Sequence, residues 1–142
     1  MDVLEFKIEI NASPQKVWET LWNDATYREW TAVFNPSSHA ISDWNENSKI
    51  QFLDAEGNGM HSIIEKKIPN KEMVFKHIGE MKNGVEVDST WGEGRERYFL
   101  NETASGTELL TVLDLPMDFK KYFTEVFPKA LQLIKQISET DN

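Results

Sequence analysis

The chain contains no cysteine. That absence excludes disulfide scaffolding, thiol catalysis and cysteine-based zinc sites, and it suits a reducing cytoplasm, the expected location. Basic residues are scarce, with 15 Lys and Arg against 24 Asp and Glu and a formal net charge of -9. A phosphate backbone or an anionic bilayer surface would be repelled by that balance, so neither nucleic acid nor membrane is an expected partner. No apolar run reaches membrane-spanning length, so membrane insertion is not expected. The opening Met1-Asp2-Val3-Leu4-Glu5 lacks the basic region of a signal peptide. Phosphate-loop glycines are missing, because Gly92-Glu93-Gly94 has no third glycine and no strand-to-helix context. A serine elbow is missing too. His39, His61 and His77 have no ligand spacing. His61 and Glu65 share a strand face but stand ~13 Å apart along it, too far to share an ion unaided. No metal and no cofactor is therefore expected.

What is present is aromatic. Rings make up 11% of 142 residues, with five Trp and eight Phe. The length fits one domain, residues 1–142, able to bury its own core. The rings build either a bulky core or an aromatic-lined cavity.

Leu4, Phe6, Ile8 and Ile10 alternate with charged residues, the pattern of a half-buried strand. Ser13 and Pro14 then cap and open a helix on which Val17 pairs with Leu21 and Trp18 with Trp22. Asp24 starts a second short helix through Tyr27 and Trp30. Strands are predicted over His39 to Trp44, Lys49 to Asp54, Met60 to Ile68, Glu72 to Met81, Trp91 to Leu100 and Thr107 to Asp114. Short turn-forming links, among them Asn83-Gly84 and Ser105-Gly106, make them an antiparallel meander. Asp118 to Glu139 reads as a helix, with Phe119, Phe123, Phe127, Leu131 and Ile134 on one face and Pro128 expected to kink or bound it. Seven strands need that helix to cover their apolar face, so Phe119, Phe123 and Ile134 are expected to be buried against the sheet. The fold class is α+β.

This order resembles the helix-grip superfamily of START lipid-transfer domains, birch-pollen-allergen-like proteins and polyketide cyclases, also called SRPBCC. Several stretches look like the branch related to the C-terminal domain of the activator of Hsp90 ATPase. They are Ile10-Asn11-Ala12-Ser13-Pro14-Gln15-Lys16-Val17-Trp18, Asp43-Trp44 before a strand, Ile64-Glu65-Lys66-Lys67-Ile68-Pro69-Asn70-Lys71, Gly106-Thr107-Glu108-Leu109 and Pro128-Lys129-Ala130-Leu131. The resemblance implies a curved sheet gripping the last helix, with a cavity between them. It is a signal of fold more than of function, because this fold hosts binders and enzymes alike.

Strand phase selects candidate lining. Between Glu72 and Met81, Glu72, Lys76 and Glu80 share a face expected to be solvated, which turns Phe75 and His77 inward. Phase also turns Phe52 inward. On the next strand Arg95 and Arg97 mark the solvent side, so Glu96 and Tyr98 face the cavity, unless Glu96 pairs with a neighbouring cation or sits at a wet rim. The resemblance places the short helices at the mouth. Trp30, Phe34 and Trp44 are expected there, and Phe52, Phe75, His77, Tyr98 and Phe123 within. An inward histidine is ordinarily a hydrogen-bonded core group, with catalysis as its alternative. Three functions follow: a binding protein for a small hydrophobic or amphipathic molecule, a chaperone-partner module, and a cyclase or dehydratase using Glu96, Tyr98 or His77. No catalytic residue is assigned.

Overall fold

The computed structural model describes residues 1–88 and 93–140. The chain opens with strand β1 (Asp2–Ile10), whose side chains alternate between core and solvent as its sequence does. Helix α1 (Pro14–Trp22) follows, with the Ser13 hydroxyl accepting from the Lys16 amide at 3.2 Å and Pro14 supplying the first-turn residue that needs no donor. Helix α2 (Asp24–Thr31) starts two residues after α1 ends. Then come β2 (His39–Ile41), β3 (Lys49–Leu53), β4 (Gly59–Ile68), β5 (Glu72–Lys82), β6 (Val85–Asp88), β7 (Gly94–Thr103), β8 (Gly106–Leu115) and helix α3 (Met117–Glu139).

All strand pairs are antiparallel, in the order β1-β8-β7-β5-β4-β3-β2, with β6 returning alongside the end of β5. First and last strands in sequence become neighbours, and α3 then crosses the inner face against β1, α1 and α2. Val17 and Leu21 of α1, Ile50, Ile64, Leu109, and Ala130 and Ile134 of α3 are fully buried together. Each such aliphatic side chain contributes roughly 1.5–3 kcal/mol of transfer free energy, Ala130 less. This is the α+β helix-grip arrangement. No helix among the described residues is long and apolar enough to cross a membrane.

Four local readings need correction. Eight strands are present among the described residues, not seven, because the hairpin at Asn83-Gly84 has a short return strand. Both turn residues take positive φ, 52° and 81°, the geometry that reverses a tight antiparallel pair. The stretch His39 to Trp44 is strand only as far as Ile41, and Trp44 adopts φ 63°. Helix α3 runs on through Pro128, so no boundary falls near Phe127; Pro128 and Thr124, the residue whose carbonyl loses its partner, both lie on the exposed side. Phe119 is 47% exposed, whereas Ile134 is buried as expected and Phe123 partly so. The first turns of α3 overhang the edge of a cavity, and only the later turns lie on the sheet. Trp91 and Gly92, expected to begin a strand, lie outside the described residues.

Two β-bulges interrupt the β4–β5 ladder. His61 pairs with Gly79 and Ser62 with His77, leaving Ile78 as an extra residue; Ile64 pairs with Phe75 and Lys66 with Val74, leaving Glu65 extra. A bulge adds one residue to one strand and so reverses which face later side chains take. After Ile78 the alternation of β5 flips: Glu80, expected to be solvated, turns inward, and Gly79 turns outward. A Cβ on Gly79 would fall 2.2 Å from the Val87 carbonyl and 2.5 Å from His61 Nε2. The absent side chain leaves room for the His61 ring, which bonds the same carbonyl at 3.1 Å.

Candidate functional site

Between the sheet, α2 and the start of α3 lies a cavity of about 770 Å³. Tyr27, Trp30, Phe34, Phe52, Phe123 and Phe127 supply much of its apolar wall. Near the mouth, Phe34 stands 5.7 Å from Phe123 and 6.4 Å from Tyr122, ring centre to ring centre. The exposed Phe119 also lines it.

One polar cluster of the wall comes from β5 and β7. Tyr98 donates its hydroxyl hydrogen to Glu96 Oε2. Glu96 Oε1 lies 3.3 Å from His77 Nε2, and His77 Nδ1 lies 2.7 Å from the Ser62 hydroxyl. In a neutral ring, all three contacts form when Ser62 donates to Nδ1 and Nε2–H donates to the carboxylate. Ser62 is buried behind the ring and does not line the cavity, so it orients His77 and is not placed as a nucleophile. Burial pushes the Tyr98 phenol well above its usual range, and the adjacent Glu96 charge adds to this; the same two causes act on Tyr27. Both therefore keep their protons near neutral pH, and Tyr98 donates its own to Glu96.

Lower on β7 and β8, Arg97 grips Asp114 through two nitrogens at 3.0 and 3.1 Å, and the Arg95 amide adds a third bond at 3.0 Å. Burial pushes the Asp114 carboxyl up, but these bonds and charges together hold it below the usual range. Arg95 turns its guanidinium to Glu65, at 2.7 and 3.0 Å. The bond from Arg95, ahead of its charge, outweighs desolvation and lowers the Glu65 carboxyl.

Of the eight residues expected at the site, Trp30, Phe34, Phe52, His77, Tyr98 and Phe123 line the cavity. Phe75 does not. It faces inward on β5, but the rings of Trp22 at 5.3 Å and Phe52 at 5.1 Å cover it, making it solid core. Trp44 does not either: it packs edge-on against Phe75 and Tyr27 and tilted against Trp22, while its carbonyl accepts from Lys67 at 2.7 Å. Trp30 belongs to the buried wall and not to the mouth, with its indole N–H donating to the Leu21 carbonyl at 3.1 Å. Sequence reasoning missed Tyr27, Phe127 and Glu80 as lining. Tyr27 sits three residues before Trp30 on α2, a spacing that puts them on one face. Glu80 had no such signal, because the bulge that turns it inward leaves no mark in the alternation.

No family model and no curated protein matches the chain. Solved structures do. The Aha1 dimer from Colwellia psychrerythraea superposes with a TM-score of 0.77 at 21% identity, over 98% of this chain and 97% of that one. Protein MLL2253 from Mesorhizobium loti gives 0.75 at 14%, over 99% and 100%. DynU16, a protein of the dynemicin biosynthetic locus, gives 0.76 at 13%, over 99% of this chain and 48% of that one. The architecture is thus a helix-grip fold, shared with an Aha1 protein and with a protein of a biosynthetic locus.

Proposed function

We propose that this protein binds a small amphipathic molecule in the cavity between sheet and α3. The observation that carries the reading is the composition of one wall: aromatic rings around about 770 Å³, interrupted by the Tyr98–Glu96–His77 cluster. Ligand sites typically enclose about 300–1,000 Å³ of mainly apolar surface with a few convergent polar groups. Apolar burial would supply affinity, and the cluster would fix one polar end. Cytoplasmic location, and a small molecule in place of nucleic acid as partner, belong to this reading.

The test is native mass spectrometry of protein purified from its host, with denaturing spectra of the same sample. A non-covalent adduct of small-molecule mass, lost on denaturation, is the supporting result. An adduct-free protein that also fails to take up any apolar fluorescent probe would defeat the reading.

One observation favours a second reading, a cyclase- or dehydratase-type catalyst. Glu96 is flanked by a phenol and an imidazole, and an acid and a base held side by side over an apolar cavity can move protons. The chaperone-partner reading has only the fold likeness to Aha1 behind it.

A further inference from the structure

The cavity wall carries an uneven set of charges. Asp54, Glu80, Glu96 and Asp114 all line it, and Arg95 is the one Lys or Arg among the described lining residues. Arg95 spends its guanidinium on Glu65 and so offers no free cation inward. Asp114 is neutralised by Arg97. Asp54 Oδ1 accepts the turn amides of Glu56 and Asn58, which fix the side chain in its turn and leave its charge at that end of the cavity. Glu80 and Glu96 are the two carboxylates held by neither an arginine nor a turn. Glu80 meets Lys82 at 3.9 Å, a long, water-exposed ion pair of little strength. Glu96 accepts from Tyr98 and faces His77, yet an ionised carboxylate has about four lone-pair sites, so acceptor capacity is left over.

We infer that the bound molecule carries a cationic head, an alkylammonium or related amine, and that Glu96 is the group selecting it, with Glu80 in support. This rests on the ligand-binding reading and adds the head-group class to it. An ammonium placed at Glu96 gains a charge-assisted hydrogen bond, whereas a fatty carboxylate there meets like charge. The aromatic rings that line the cavity would attract a desolvated cation further. A preference set this way opposes the carboxylate-headed lipids that an apolar cavity would otherwise accept.

The experiment compares three probes with the same chain: decylammonium, decan-1-ol and decanoate, titrated calorimetrically near neutral pH at low and at raised salt. Decylammonium is expected to bind at least about tenfold tighter than decanoate, with the alcohol between, and to keep that order when salt screens the net charge of -9. Glu96→Gln is expected to bring the charged probes within about threefold of each other while decanol is unchanged. Should that variant fail to fold by circular dichroism, Glu80→Gln takes its place, with a smaller narrowing expected. Decanoate binding as tightly as decylammonium, or a preference that survives Glu96→Gln or vanishes with salt, overturns the head-group assignment and leaves the ligand reading standing. No binding of any probe, decanol included, overturns both.

Discussion

His77 and Glu96 meet across the β5–β7 ladder as diagonal neighbours, not as opposite ones. The residue directly opposite His77 is Gly94, and the one opposite Glu96 is Phe75. Diagonal positions are normally about 7–8 Å apart at the backbone, within reach of long side chains only. The Glu96 carboxylate leans across to within 3.3 Å of Nε2. The ring is held from its other side by Ser62. The polar group of the cavity is therefore built from three strands, β4, β5 and β7.

Tyr98→Phe removes one hydroxyl from that group. The hydroxyl bonds a carboxylate within a fully buried residue, so the substitution is expected to cost about 1.5–3 kcal/mol, more than a neutral surface bond would. Urea denaturation measures it. A change below a few tenths of a kcal/mol would mean that Glu96 finds water as an equal partner.

Phe75 and Phe34 separate core from wall. Phe75→Ala empties a fully buried site and is expected to cost about 3–5 kcal/mol. Phe34 is half-buried at the mouth, so Phe34→Ala should cost clearly less while weakening uptake of an apolar fluorescent probe. Thermal melts and probe titrations on both variants show whether the two effects divide in this way.

Alkaline pH tests the buried phenols. Tyr27 and Tyr98 have folded-state values raised above the unfolded value of about 10, so the folded state holds their protons more tightly. Their contribution is complete below about pH 10 and is lost as pH rises beyond it towards their folded values. Two of the three tyrosines should thus gain tyrosinate absorbance only together with loss of folded circular dichroism. A smooth rise in the intact fold would contradict their burial.

Acid has the opposite sign. Asp114 and Glu65 are lowered in the folded state, so their stabilisation is present above the unfolded values near 4 and disappears as pH falls through the folded ones. Asp114→Asn should be less stable than the parent at neutral pH. Its stability should also fall less steeply under acid, measured as denaturation midpoints at several pH values below about 5.

The sequence alone determined what depends on local period and capping. Alternation fixed β1 and most of the meander, Ser13-Pro14 fixed the start of α1, and the apolar stripe of α3 fixed its burial from Phe127 through Ile134. It also turned His77, Glu96 and Tyr98 inward, because a strand of known phase has only two faces. Tertiary structure decided the rest. The bulge at Ile78 reversed Glu80, since one unpaired residue changes every later face without altering composition. Neighbouring rings decided that Phe75 is core and Phe52 wall, a distinction of depth that periodicity does not encode. The overhang of α3 left Phe119 at the rim, because where a helix runs out of sheet depends on packing across the whole inner face. The meeting of His77 and Glu96 came from register, set by long-range pairing of strands whose sequences name their own faces but not their partners.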